Sequence, residues 1–221
     1  MRFSKKNLFK IITLPALLLI GLQSQFVNAE QTKAEQKAAF IKEVLADPGL
    51  KAGNKAPNFA LENANGETVE LNKLLKNGPV VLVFYRGAWC PYCNIHLHDL
   101  KKNMLEFEKY NAQIVGITPQ KPDKSAEQVK KEGFPFEILS DSTYDVLKDY
   151  RLYFELSDEI QARYKTMGLD LEEFNGKGRI GLPTPGAFII DTHGVIRAMQ
   201  AEVDFKSRMS PEAIIAELKK L

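Results

Sequence analysis

Cysteine is scarce in this chain: there are two among 221 residues, alongside one tryptophan and three histidines. That count excludes a disulfide-dense scaffold and a zinc module built from four cysteines. Charge of one sign is missing as well. The 30 basic residues against 28 acidic ones leave a nucleic-acid-binding face without compositional support, so nucleic acid is not an expected partner. A long apolar run is also lacking, since the stretch Ile11 to Leu22 is interrupted by Thr13 and Pro15. It falls short of the roughly 20 residues that cross a bilayer as a helix. Internal repeats and low-complexity tracts are absent. What remains is an ordinary globular composition, 44% hydrophobic and 26% charged, of a size suited to one domain.

The first 29 residues stand apart from that domain. Arg2, Lys5, Lys6 and Lys10 precede the apolar run, and Val27-Asn28-Ala29 supplies a small-residue site, the three-part pattern of a secretory signal. Cleavage after Ala29 and export to the periplasm, or another extracytoplasmic space, are expected. Removing residues 1–29 takes four basic residues from the 30 and leaves 26 against 28 acidic ones, close to neutrality. Residues 30–50 then read as a lead-in helix and linker, with an amphipathic pattern over 31–46 stopped at Asp47-Pro48-Gly49. Residues 51–221 form the main domain.

Within that domain, Pro57 to Leu61 and Thr68 to Leu71 flank Asn65-Gly66, a dipeptide suited to a tight hairpin turn. The run Val80 to Tyr85 is apolar without alternation, as in a strand buried on both faces. From Pro91, the residues Cys93, Leu97, Leu100, Met104 and Phe107 recur at spacings of three and four, predicting one helix of about four to five turns. Strands follow at Ala112 to Thr118 and Phe136 to Leu139, separated by a charged helix over Asp123 to Lys131. A helical pattern over Tyr144 to Tyr150 begins the segment 142–180, whose remainder has no readable period and is taken as an insertion. Gly186 to Asp191 and Val195 to Met199 form a hairpin around Thr192-His193-Gly194, and a last helix starts at Ser210-Pro211. This order predicts an α/β thioredoxin fold: a central mixed β-sheet flanked by helices, with an N-terminal β-hairpin extension.

Cys90 and Cys93 enclose two residues, so a disulfide between them closes a tiny loop and staples little. Redox chemistry is the better use of such a pair. Cys90 falls at the start of the predicted helix, where unpaired N–H groups and the helix dipole lower a thiol pKa. It is therefore the expected nucleophile, with Cys93 as the more buried resolving thiol. Arg86 has two readings, a surface side chain at a strand end or a fixed cation that favours the thiolate. Trp89 either shapes a docking surface beside Cys90 or belongs to the core. His96 and His98 could complete a zinc site, but they lie about 200° apart on a helix and cannot converge with the cysteines. A solvated helix flank is the expectation for both, and neither metal nor cofactor is expected.

These residues resemble the alkyl hydroperoxide reductase / thiol-specific antioxidant family, in its peroxiredoxin-like branch with a C-x-x-C. The resemblance rests on Gly53-Asn54-Lys55-Ala56-Pro57-Asn58-Phe59, on Phe84-Tyr85-Arg86-Gly87 leading to Trp89-Cys90-Pro91-Tyr92-Cys93, and on Phe188-Ile189-Ile190-Asp191 with Gly194-Val195-Ile196-Arg197. It implies a thioredoxin fold with Cys90 as reactive cysteine and Cys93 as its partner. Three positions depart from the family pattern. Val83 and Gly87 stand where a proline and a Thr or Ser are typical, and Pro185 stands where an arginine is typical. Thr184-Pro185 instead resembles the docking edge of thioredoxin-like reductases, whose proline is cis. An ordinary trans proline, or Pro183 in that place, is the plainer alternative.

The sequence thus predicts a thiol-based antioxidant oxidoreductase, acting on a hydroperoxide or a protein disulfide. A thioredoxin-like or membrane-borne thiol reductant would be its electron source. The narrower alternative is a protein-disulfide reductase without peroxidase activity. Further off stands a metal-carrying chaperone using Cys90, Cys93 and His193.

Overall fold

A computed structural model describes residues 35–221, of which 41–221 form one compact unit. The secretory-signal reading of residues 1–29 lies outside the described residues. The lead-in helix, α1, covers residues 35–46. Val44 on it is fully buried, and Glu43 pairs with Arg151 at 2.7 Å.

The Asn65-Gly66 hairpin forms as β1 (Ala60–Asn63) and β2 (Thr68–Glu70), with Gly66 at φ +81°. Leu71 begins a short helix, α2 (Leu71–Leu74), rather than extending the strand. The apolar run becomes β3 (Val80–Phe84), every residue of which is buried. Its central place in the sheet explains the missing alternation. After it come α3 (Pro91–Lys102), α4 (Met104–Glu108), β4 (Gln113–Thr118), α5 (Pro122–Glu132) and β5 (Glu137–Ser140). The single long helix expected after Pro91 is in fact broken at Asn103. The Asn103 side chain donates to the carbonyl of Asp99 at 2.9 Å, and its own N–H turns to Leu100, so the α-helical ladder is interrupted there.

The unreadable stretch proves structured. After α6 (Asp145–Asp149), the chain forms β6 (Tyr153–Glu155), α7 (Asp158–Thr166), α8 (Leu171–Asn175) and β7 (Gly181–Pro183). The pairing of β6 with β7 makes a two-stranded ribbon that carries the two helices. Then β8 (Gly186–Ile190), β9 (Ile196–Ala201) and α9 (Pro211–Leu218) close the domain, with Ser210 capping α9 by accepting from the Ala213 N–H.

The main sheet has the order β2-β1-β5-β4-β3-β8-β9. Strands β3, β4 and β5 run parallel, while β8 and β1 run antiparallel to their neighbours. The expected mixed sheet therefore forms, and the hairpin extends it at β5. On one face, the α3 stripe of Cys93, Leu97 and Leu100 packs with Val81, Val83, Ile114 and Ile189. On the other, Phe84, Tyr150 and Phe188 meet ring to ring at 4.9–5.6 Å. Asp191 tightens the β8–β9 turn by accepting from the N–H groups of His193 and Val195, both at 2.9 Å, and from Arg197 Nε at 2.6 Å. The motif around Asp191 is thus structural.

Candidate active site

Strand β3 ends in the segment 85–89, which delivers Cys90 to the N-cap of α3 in an extended conformation, with Pro91 in the first turn. Side chains buried between α3 and α5 lock this segment. Gln120 accepts from the Ala88 N–H at 2.8 Å, Asn94 donates to the Ala88 carbonyl at 2.7 Å, and Gln128 donates to Asn94 at 3.0 Å. Tyr85 in turn donates to Gln128 at 2.8 Å. Both backbone polar groups of Ala88 thereby find side-chain partners, which holds the cysteine loop in one position.

Gly87 makes the turn possible. Its φ is +149°, and a Cβ there would meet Trp89 Nε1 at 2.5 Å and Gln120 Oε1 at 3.0 Å. Restoring the hydroxyl residue typical of the family, Gly87→Thr, is therefore expected to lower stability by about 2 kcal/mol or more, read as a reduced urea midpoint, rather than to improve the site.

The two thiols are free and buried, with Cys93 Sγ donating to Cys90 Sγ at 2.7 Å. The expectation that Cys93 is the more buried of the two is corrected here: Cys90 itself has no exposed surface. Arg86 covers it. That residue is 8% exposed, its Nη2 lies 3.9 Å from Cys90 Sγ, and its guanidinium sits over the rings of Phe205 at 4.3 Å and Trp89 at 5.1 Å. The reading of Arg86 as a surface side chain does not hold, because two aromatic faces draw it inward. Trp89 is half-buried between the main core and the small core of Leu156, Leu171 and Leu182.

The Cys90 thiol is pulled down to about 6, first by the hydrogen bond from Cys93 and then by the Arg86 charge and the Cys93 N–H, against the opposing effect of burial. The Cys93 thiol is pushed well up, by its hydrogen bond to Cys90, by burial and by the negative charge of Cys90. Two sulfurs this close share one proton, and the geometry assigns the negative charge to Cys90.

A groove of about 410 Å³ is lined by Arg86, Thr184 and Pro185 beside Phe154, Leu156 and Phe205. The structure thus gathers Arg86, Thr184 and Pro185 at one place. The Thr184 hydroxyl and Arg86 Nε are buried there without a hydrogen-bond partner among the described residues. The cis proline expected at Thr184-Pro185 is corrected: no peptide bond among the described residues is cis. The pairing of β7 with β6, continued by the Thr184 N–H bond to Leu152 at 2.7 Å, carries the chain straight into β8.

One histidine departs from the solvated flank and the other keeps it. His96 is buried and bonds the Met209 carbonyl at 2.9 Å, while His98 pairs with Glu132 at 2.8 Å. His193 lies in the turn after β8, at the opposite end of that strand from Gly186, which pairs with Phe84 next to the site. The grouping of His193 with the cysteines is therefore not formed. Among the described residues, no three His, Cys, Asp or Glu side chains converge as a metal site.

Burial holds the His96 ring neutral, with its pKa lowered to about 4. A folded-state pKa below the unfolded value of about 6.5 means that the unfolded chain binds the extra proton, so stability falls as pH drops from about 6.5 toward 4. Between pH 7 and 4.5, the native protein is expected to lose on the order of 2 kcal/mol through this group. Urea titrations of His96→Gln should lack that part of the acid loss; an unchanged acid loss would contradict it.

Sequence reasoning missed Tyr164, Phe205 and Arg208. Tyr164, on α7, accepts from Arg86 Nη1 at 3.5 Å and meets Trp89 edge to face at 6.0 Å. Arg208 Nη2 lies 3.5 Å from Cys93 Sγ. No local spacing announces residues that arrive from 78 and 115 positions away.

Comparison with known proteins bears on the family and the fold. Peroxiredoxin Bcp of Escherichia coli (strain K12) is 31% identical over 170 residues, covering 77% of this chain and 96% of that protein. Chloroplastic peroxiredoxin Q of Oryza sativa subsp. japonica is 27% identical over 172 residues, covering 78% and 66%. Among solved structures, peroxidoxin BcpB from Mycobacterium tuberculosis superposes with a TM-score of 0.64 at 22% identity, over 78% of this chain and 98% of that one. The bacterioferritin comigratory protein of Xanthomonas campestris gives 0.56 at 19% identity, over 73% and 90%. These two likenesses establish the thioredoxin fold. The sequence profile of the AhpC/TSA family matches residues 52–199, a span running from the lead-in motif through the cysteine turn to β9, so the chain belongs to the AhpC/TSA family.

Proposed function

We infer that Cys90 is the peroxidatic cysteine of a thiol-based peroxidase and that Cys93 resolves it. The observation that carries this reading is the pair itself: two thiols 2.7 Å apart at a helix N-terminus, with the Arg86 guanidinium 3.9 Å from the first. The Cys90 thiolate attacks the terminal oxygen of a hydroperoxide. The O–O bond breaks, the alkoxide leaves and takes up a proton, and Cys90 becomes a sulfenic acid. Cys93 then attacks that sulfur, water departs, and the Cys90–Cys93 disulfide forms. A dithiol reductant of thioredoxin type reopens it.

Arg86 both favours the thiolate and faces the groove through which peroxide arrives. Thr184, whose hydroxyl has no partner among the described residues, offers a second donor for a peroxide oxygen, while Pro185 lines the groove and Trp89 supports Arg86 from behind it.

The test is stopped-flow oxidation of the reduced protein, read through its single tryptophan, Trp89. Oxidation by hydrogen peroxide or an alkyl hydroperoxide is expected on the order of a hundred- to a thousandfold faster than that of free cysteine. A rate no faster than free cysteine overturns the peroxidase and leaves disulfide reduction.

The basic, apolar and small-residue pattern of residues 1–29 supports placing this enzyme outside the cytoplasm, where a membrane-borne or thioredoxin-like carrier would supply its electrons. Among the described residues, no helix is long and apolar enough to cross a membrane. Mass analysis of the protein from the extracytoplasmic fraction is expected to find Glu30 as the first residue. Full-length protein confined to the cytosol would refute export.

A further inference from the structure

The catalytic cycle needs two thiolates in succession, and the first works against the second. While Cys90 is negative, Cys93 must keep its proton and donate it to Cys90. Once Cys90 is a sulfenic acid that charge is gone, and Cys93 has to lose its proton in a buried place that penalises any charge. The Arg86 backbone N–H favours a thiolate there, but a neutral donor alone leaves the charge uncompensated, and a cation at the second sulfur supplies the rest. Arg86 contacts Cys90, whereas the guanidinium at Cys93 belongs to Arg208, with Nη2 3.5 Å from Cys93 Sγ.

We propose that Arg208 is the catalytic cation of the resolving step, stabilising the Cys93 thiolate as it attacks the Cys90 sulfenic acid. The proposal rests on the peroxidase reading above. In the step, the Cys93 thiolate gives its electron pair to the Cys90 sulfur and an S–S bond forms. The S–O bond breaks, and hydroxide leaves with the proton that Cys93 released, as water. No further oxidant or reductant enters.

The plain alternative is that Arg208 only caps loop carbonyls. It does hold them: Nη1 donates to the Ser207 carbonyl at 2.6 Å and to that of Phe205. Those bonds use one nitrogen, and the other is directed at the sulfur. The backbone on its far side is fixed as well, because His96 of α3 bonds the Met209 carbonyl and Ser210 caps α9. The guanidinium is therefore oriented before the reaction, as electrostatic stabilisation of a developing thiolate requires. The titratable or charged groups that act on Cys93 are Cys90 from the same helix, Arg208 from the segment before α9, and Tyr85 at the end of β3; His96, one turn along α3, faces Arg208.

The test separates the two half-reactions in Arg208→Met. Oxidation of Cys90, which depends on peroxide concentration, is expected to stay within about twofold. Resolution, which does not depend on it, is expected to slow about tenfold or more at pH 7, with its pH profile moved to the alkaline side. Trapping reagents should find more sulfenic acid on Cys90, and excess peroxide more sulfinic acid. An unchanged resolution rate, or equal slowing of both steps, overturns the proposal. Should the methionine variant fail to fold, Arg208→Lys decides: it keeps the charge but has no second terminal nitrogen to cap the carbonyls while facing the sulfur, and resolution is expected within about threefold of the parent. Lost resolution with normal Cys90 oxidation in that variant overturns the proposal. Without peroxide, the same attack is read by loading Cys90 with a nitrothiobenzoate mixed disulfide and timing release of the second aromatic thiolate. This assay stands even if peroxide proves a poor substrate, so failure of the peroxidase reading and failure of the role of Arg208 are told apart.

Discussion

Cys90→Ser is expected to abolish peroxide turnover, lowering it by about a thousandfold or more to the uncatalysed background. A serine hydroxyl at this helix start keeps the local fold, since Cys90 holds the N-cap position and makes no side-chain cap bond. What it loses is a thiolate at neutral pH. Cys93→Ser should behave differently: one rapid oxidation per molecule, then arrest with a sulfenic acid on Cys90, detectable by a trapping reagent and mass spectrometry. Activity retained in Cys90→Ser together with its loss in Cys93→Ser would reverse the assignment of the two roles.

Arg86→Met is the second large effect, and its size depends on which function of the arginine dominates. With the Cys90 thiol at about 6, some nine-tenths is ionised at pH 7. The hydrogen bond from Cys93 lowers that value more than Arg86 does, so losing the arginine raises it by about one unit and merely halves the thiolate at pH 7. A fall of on the order of a hundredfold in kcat/KM, which we expect, therefore has to come from charge stabilisation of the departing oxygen. The pH profile separates the two contributions. In the parent protein the oxidation rate is expected to be flat above about pH 7 and to fall tenfold per unit below about pH 6, as the thiolate takes up its proton. In the variant the bend moves upward by about one unit, and at pH 9, where both proteins are ionised, most of the deficit persists. Full recovery at pH 9 would reduce Arg86 to a group that tunes the thiol.

Much of the catalytic pair was legible in the order of residues. An unalternating apolar strand, a short turn and an apolar stripe of period three to four can be met together by one arrangement, a buried strand feeding a helix with Cys90 at its start. Asn65-Gly66 and Ser210-Pro211 were equally readable, because turn and cap chemistry acts within three or four residues of the chain. The broken helix at Asn103 was not, since the apolar stripe continues across it and the break comes from a side-chain bond to the backbone one turn earlier.

The surroundings of the thiols were decided by the fold. Tyr164 reaches Arg86 from an insertion without a readable period, and Phe205 and Arg208 come from the segment between β9 and α9. The burial of His96, the covering of Cys90 and the trans course of Thr184-Pro185 likewise depend on which distant segment packs on top. Spacing along a chain encodes which face of an element is apolar. It carries no information about which remote side chain meets that face, and the charges that tune a thiol act through just such meetings.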